Sequence, residues 1–311
     1  MGAYAWQSAS LRQKAYAKIN TFLEVLSRRE DGYHDLLSHI QLITLCDELN
    51  VGTVLYPGKE MTITLQCDCE QLSSGEDNLV VRAARAFCRA AALPESGVAI
   101  NFTLQKRIPM QGGLGGGSAD AAAALLALNR LCGAPLSIDA LCDLGVTLGA
   151  DVPMCIRGHE GAQTAGGIGE ILAPAPGLSS DVTLLIVLPG TAVSTPAAFR
   201  MLDERYTPEE ITERIETLPQ RYDAHLRALA AKDVQALGRT SFNRFEEAVF
   251  ALQPSTQCVF DLLHAQHADA VRMSGSGPTM VGYFADAEAA KAAQNILQEK
   301  GYAAYLCHPL V

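Results

Sequence analysis

The chain has 311 residues, 49% hydrophobic and 19% charged, which is more than a single core holds, so two domains are expected. Its 24 basic and 34 acidic residues leave a net charge of −10, which argues against nucleic acid but allows a phosphorylated ligand that needs only a few local cations. No apolar run approaches the ~20 residues of a membrane span, and Met1 to Ser8 lacks the regions of a signal peptide, so a cytoplasmic protein with no membrane partner is expected.

In chain order, Ala15 to Leu26 reads as a strand on which Lys18 and Asn20, two apart, share a face and can address one ligand. A turn with Asp31-Gly32 at its tip follows, and Tyr33-His34 re-enters structure. Residues 40–46 and 61–67 are strand-like, Asn78 to Ala92 is an amphipathic helix, and Val98 to Gln105 alternates as a strand. That strand runs into Pro109-Met110-Gln111-Gly112-Gly113-Leu114-Gly115-Gly116-Gly117-Ser118-Ala119-Asp120. Ser118 is placed to cap the next helix, which reaches about Cys132, and Ser137 to cap another that ends near Gly149. Pro153 pushes Val152 to an extended conformation and leaves Asp151 in a tight connection.

Gly166 to Glu170 is a further glycine-rich turn, and Pro174 to Ser180 marks a boundary, giving domains 1–178 and 179–311. Beyond it come a strand at 181–188 and helices near 195–203, 208–217, 221–231, 242–252 and 255–266. Strand 269–273, the turn Ser274-Gly275-Ser276-Gly277-Pro278, strand 279–284, helix 286–300 and strand 302–307 complete the chain. Without its helical insertion this is β-α-β-β-α-β, the order of a ferredoxin-like domain. Nine cysteines, odd in number and with no metal spacing, read as reduced and mostly buried thiols.

Five glycines between Gly112 and Gly117 bare the backbone N–H groups, and the alanine-rich segment behind them forms a helix whose N-terminus attracts an anion. The run is a phosphate loop of an uncommon kind. Ser118 stands where a Walker loop needs lysine, a dinucleotide fingerprint fails at the same residue, and no protein-kinase H-R-D or D-F-G element is present. Phosphoryl transfer also needs a base for the acceptor hydroxyl and cations for the phosphates. Asp151 is the base candidate, its alternative being a turn aspartate. Lys18 is the cation candidate, its alternative an edge lysine reaching for water.

At these residues the chain resembles the GHMP kinase superfamily. Ala17-Lys18-Ile19-Asn20 with Phe22-Leu23 and Arg29-Glu30-Asp31-Gly32-Tyr33-His34 is similar to the N-terminal signature of one branch, which acts on 4-diphosphocytidyl-2-C-methyl-D-erythritol in non-mevalonate isoprenoid biosynthesis. Pro109 to Ala122 resembles the superfamily's ATP loop, Gly149-Ala150-Asp151-Val152-Pro153 its block with the catalytic aspartate, and Ser274 to Thr279 its C-terminal glycine motif.

The resemblance implies an α+β fold of two domains, an N-terminal α/β domain like domain 2 of ribosomal protein S5, with a left-handed crossover, and a ferredoxin-like C-terminal domain, with the active site in the cleft between them. It implies an ATP- and Mg²⁺-dependent kinase, a monomer or weak homodimer, that phosphorylates the substrate's 2-hydroxyl. Asp151 would take the proton, and Lys18 would keep Asp151 ionised and stabilise the attacking oxygen. Pro109 through Ala119, with Asn78, would hold ATP. Asn20 would orient the methylerythritol end, with Arg157 and Thr195 also on the substrate. Tyr33 and His34 would hold the cytosine, and Phe199 would either close its other face or pack into the core.

The chain departs from the family pattern at four places. Gln111 precedes Gly112-Gly113, and the usual second loop serine is Ala119, leaving Ser118 to bind Mg²⁺ or cap its helix. An Asn-Asp-hydrophobic-Glu motif appears as Asn243-Arg244-Phe245-Glu246, and a lysine of some relatives is Arg157. A mevalonate- or homoserine-type kinase is the alternative within the superfamily, and Tyr33-His34 speak against it. A regulatory protein with a dead site is a further alternative, opposed by intact Lys18 and Asp151.

Overall fold

Two long strands run through the fold. The computed structural model of the protein describes residues 7–158 and 161–311. Residues 1–6, most of the segment read for a signal peptide, lie outside that description. β1 (Ala9–Arg28) and β2 (His34–Glu60) are neighbours in one sheet, and each passes from one compact unit into a second. β2 is far longer than the 40–46 expected, because Asp47 and Asn50 break the apolar pattern although Asp47 is fully buried against its partners.

The first unit takes the chain up to Ala17, Leu45–Met110 and Gly115–Arg157. Here β4 (Ser96–Gln105) runs antiparallel to the second half of β2, and β3 (Thr62–Cys67) runs parallel to β4 at the edge. α1 (Leu79–Ala90) connects β3 to β4, its Asn78 cap accepting from Val80 N. α2 (Gly116–Leu131) packs on α1, and the small residues Ala119 and Ala121 to Ala124 let it be enclosed almost all round. Its N-cap is Gly115, not Ser118, which is the third helical residue. Gly115 sits in the left-handed region at φ 71°, where glycine carries no steric penalty, and no side chain caps the helix.

Ser137 does cap α3 (Ile138–Val146) by accepting from Ala140 N. α4 (Val152–Arg157) corrects the expectation for Val152. That residue is helical, because Pro153 falls in the first turn, where a missing N–H costs nothing.

The second unit takes Lys18–Thr44, Gln111–Leu114 and Gly158–Val311. β5 (Gln163–Gly166) and β6 (Ile171–Pro174) form a hairpin on the first half of β2, joined by the expected glycine turn. β7 (Thr183–Leu188), β9 (Ala270–Met273), β10 (Met280–Phe284) and β11 (Ala303–Cys307) form a sheet in the order β11-β7-β10-β9, every neighbour antiparallel. With α10 (Ala287–Glu299) this is the ferredoxin-like arrangement.

Between β7 and β9 the helices are α5 (Thr195–Arg205), α6 (Pro208–Ala230), α7 (Val234–Thr240), α8 (Phe245–Leu252) and α9 (Pro254–Ala265). α6 replaces the two helices expected at 208–217 and 221–231. Pro219 is tolerated inside it because the opposing turn is at the surface, where Ile215 is exposed and water can serve the freed carbonyl. α7 was not foreseen. The helix expected from 242 begins only at Phe245, since β8 (Phe242–Asn243) pairs in parallel with Phe22 and Leu23 of β1.

Leu185, Val187, Phe245, Met273, Met280 and Phe284 lie in the core of this unit. All nine cysteines are free, and only Cys88, Cys142, Cys155 and Cys307 are fully buried, so the thiols are less buried than expected. Among the described residues no helix is long and apolar enough to cross a membrane.

Candidate active site

In the second unit the first half of the glycine loop is held from two sides. Lys18 N donates to Leu114 O at 2.9 Å, and Ser274 Oγ donates to Gly113 O at 2.9 Å. Gly113 cannot be replaced without moving backbone. Its φ is +74°, and a Cβ there would stand 2.2 Å from Ser274 O. The turn Ser274–Gly277 is fixed in turn by Asn243, whose Nδ2 donates to Met273 O at 2.7 Å and to Gly275 O at 2.8 Å.

Lys18 and Asn20 meet as strand alternation predicts, the ammonium donating to Asn20 Oδ1 at 2.9 Å, both buried. An open cavity of about 610 Å³ is lined by Gln111, Gly113, Val193, Thr195, Ser276 and Gly277 among others. Thr195 Oγ1 and Ser276 Oγ are 2.7 Å apart at its wall. Hydroxyls and bared backbone around an open cavity suit a polyanion.

His34 is buried, with Nε2 2.6 Å from Asp203 Oδ1, a bond that makes Nε2 the protonated nitrogen. Arg28 approaches the other oxygen of Asp203 at 3.8 Å. Phe199 stacks on His34 and also packs against the core, the second of the two places expected for it. Tyr33 is 61% exposed, its side chain in water, with its backbone N bonded to Asp31.

Behind these residues lies a charged network in which Arg244 binds Glu24 through two nitrogens at 2.7 and 2.9 Å. The arginine that replaces the family's aspartate is thus the counter-ion of a buried carboxylate. Glu246 accepts from Met273 N at 2.8 Å and supports the same turn as Asn243.

In the first unit the loop begins and ends at a buried ion cluster. Asp47 accepts from Ile108 N at 2.8 Å, from Arg107 N and from the Lys106 ammonium, which also donates to Asp120 Oδ2 at 2.7 Å. Burial pushes the Asp120 carboxyl up, against the pull of Lys106. Burial alone would lower Lys106, but Asp120 and Asp47 outweigh it and hold the ammonium above its ordinary value. Pro109 and Met110 follow directly from this anchor, and Gly115 to Ala119 form the turn into α2 and its start.

A methyl group on Gly149 would stand 3.6 Å from Ser118 Oγ, so the connection that carries Asp151 runs beside Ser118. Asp151 precedes α4, its carbonyl accepting from Cys155 N. Asn78 spends its side chain on capping α1 and on Ser73 O, and Arg157 is paired with Asp139.

Sequence reasoning missed Asp203, Asp47 and Lys106. Lys106, three residues before Pro109, carried the one local signal. The others act on partners remote in the chain.

Residues 78–159 match the GHMP kinases N terminal domain and 226–303 the GHMP kinases C terminal domain. A 4-diphosphocytidyl-2-C-methyl-D-erythritol kinase of Geobacter metallireducens is 40% identical over 92% of this chain and 94% of its own. One of Syntrophus aciditrophicus is 37% identical over 94% and 96%. Among solved structures, a 4-(cytidine 5'-diphospho)-2C-methyl-D-erythritol kinase superposes with a TM-score of 0.75 at 32% identity, covering 96% of this chain and 99% of that one. A mevalonate kinase superposes equally well, TM-score 0.76 over 96% and 99%, at only 14% identity, which shows the fold alone.

Proposed function

Since the chain belongs to the 4-diphosphocytidyl-2-C-methyl-D-erythritol kinases, a branch of the GHMP kinase family, we propose a residue-level account of how it phosphorylates that substrate with ATP. The reaction gives the 2-phosphate and ADP, and it serves isoprenoid biosynthesis. The observation that carries this reading is identity of 40% along nearly the whole length of a kinase of that name. Superposition alone does not separate this substrate from mevalonate.

The 2-hydroxyl attacks the γ-phosphorus, its proton passes to the Asp151 carboxylate, and the bond to ADP breaks. Lys18 supplies positive charge for the attacking oxygen. The loop from Pro109 to Ala119 cradles the phosphates, Asn78 shapes the nucleotide side, and Thr195 and Arg157 serve the substrate. Asn20 orients the methylerythritol end. His34 reads the cytosine edge, with Tyr33 and Phe199 as its aromatic neighbours.

Among the described residues no cluster of three His, Cys, Asp or Glu side chains is arranged to hold a metal. Mg²⁺ keeps water and nucleotide oxygens and takes one or two protein oxygens. Ser118 Oγ is the oxygen proposed. The ion, when bound, neutralises charge on the phosphates.

The boundary proposed between the two family domains is 178/179, from the sequence pattern at Pro174 to Ser180. A cytoplasmic monomer or weak homodimer, with no nucleic-acid or membrane partner, completes the proposal. The test is ADP release with the cytidyl substrate, with mevalonate and with homoserine. Turnover of the cytidyl substrate is expected, and turnover of either of the others alone overturns the reading.

A further inference from the structure

The Asn20 carboxamide is committed at both ends. Its Oδ1 accepts from the Lys18 ammonium at 2.9 Å and from Gly275 N at 2.9 Å. Both partners are donors only, so the amide must face them with its oxygen. Nδ2 then points to Ser38 and donates to Oγ at 2.8 Å, while Ser38 Oγ donates to Phe22 O at 2.8 Å. A hydroxyl that has given its one proton to a carbonyl can only accept from Asn20. The two ends of the chain therefore demand the same orientation of the amide. Lys18, Asn20 and Ser38 are all buried, where water does not readily replace a lost partner. Ser38 itself is held by strand pairing, opposite Ala165 of β5, so its place does not depend on its hydroxyl.

We propose that Ser38 is a positioning residue for phosphoryl transfer, orienting the Asn20 carboxamide and through it the Lys18 ammonium and the Gly275 N–H. The inference rests on the role of Lys18 given above. Ser38 acts through Asn20, its own hydroxyl being spent on Asn20 and on Phe22 O. Its loss therefore affects the transition state, where the placement of charge matters, more than the binding of either substrate.

The test is steady-state kinetics of Ser38→Ala and Ser38→Thr in the full-length enzyme, with thermal melts. Ser38→Ala is expected to lower kcat about tenfold with both KM values within about twofold, and Ser38→Thr, which keeps the hydroxyl, to recover most of that loss. If Ser38→Ala fails to fold, Ser38→Cys, of similar size and a weak acceptor, must show the same loss. A kcat within twofold of wild type for the hydroxyl-free variant overturns the proposal, as does an equal loss in Ala (or Cys) and Thr variants. Failure of the proposed function is visible separately, in wild type that ignores the cytidyl substrate. In that event the variants are compared on whichever of mevalonate or homoserine the wild type phosphorylates.

Discussion

The imidazole of His34 lies face to face with the ring of Phe199, centroids 4.4 Å apart and planes 16° from parallel. Rings in contact lie ~4.5–7 Å apart, so this pair leaves no space for a third ring between its members. The cytosine sandwich expected from sequence therefore requires the pair to part. His34 is backed by Asp203, and Phe199 stands edge-on to Phe245 at 4.8 Å. Phe199→Ala is expected to raise KM for the cytidyl substrate roughly 5- to 150-fold, the equivalent of ~1–3 kcal/mol of stacking, with the KM for ATP unchanged. His34→Ala should move the same constant. Unchanged KM in the first variant makes Phe199 a core residue only, and an effect of the second on ATP alone moves the cytosine site elsewhere.

Asp151 carries the proton in the proposed reaction. Asp151→Asn keeps the shape and cannot accept the proton, so turnover should fall ~10²–10⁴-fold, the contribution of a general base. ATP affinity, measured by calorimetry, should stay the same. Turnover near wild type leaves Asp151 as a turn residue.

Acid should weaken the fold through two buried imidazoles. Thr21 Oγ1 lies 2.6 Å from His39 Nδ1 and 2.8 Å from His225 Nε2, and His39 Nε2 lies 2.8 Å from Pro176 O. Burial pushes His39 down to about 4. Burial, then His39 and Arg272, push His225 down to about 3. Both folded values lie below the unfolded one, so the unfolded chain binds more protons in acid. Stability is fully present above pH ~6.5 and is lost as pH falls toward 4 and 3, on the order of 3 kcal/mol for each histidine by pH 4. Melting temperature measured from pH 8 to 4 should fall below ~6.5, and the fall should be shallower in His225→Gln. An identical slope in that variant would rule out His225 as a source.

Asp47 gathers three donors at the entrance to the glycine loop. Asp47→Ala leaves two backbone N–H groups unserved and shifts the Lys106 ammonium wholly onto Asp120. A loss of ~3–5 kcal/mol is expected, as when one partner of a buried ion pair is removed, with a raised KM for ATP. Chemical denaturation and kinetics read these separately. A stability change under ~1 kcal/mol, the scale of a surface pair, means the cluster is better hydrated than its burial implies.

The parts of the site that were legible in the sequence are local. Alternation along a strand was enough to pair Lys18 with Asn20, and five glycines before an alanine helix were enough to mark a loop for phosphate. Ser118 reads as a cap because side-chain rules favour serine, while the helix starts three residues earlier at a left-handed glycine with no side-chain cap. Asp203 meets His34 across 169 positions and Arg244 meets Glu24 across 220. No periodicity or spacing carries such a pairing, because it is decided by which strands become neighbours. Ser38 was invisible for another reason: a serine in a strand is ordinary until the direction of its one proton is known.

The passage of β1 and β2 through both units bears on how the chain acquires its structure during synthesis. The first unit is complete once Arg157 has been made, but Lys18–Thr44 belong with a body whose remaining strands emerge much later, β8 at Phe242 and β10 not before Met280. The strand that bears Lys18 and Asn20 must therefore wait on the ribosome with an unpaired edge, a state exposed to aggregation. No single break in the chain separates the two units. A truncation anywhere before β8 therefore leaves Phe22 and Leu23 of β1 without their parallel partner, and halves expressed separately should recover activity only when they are refolded together.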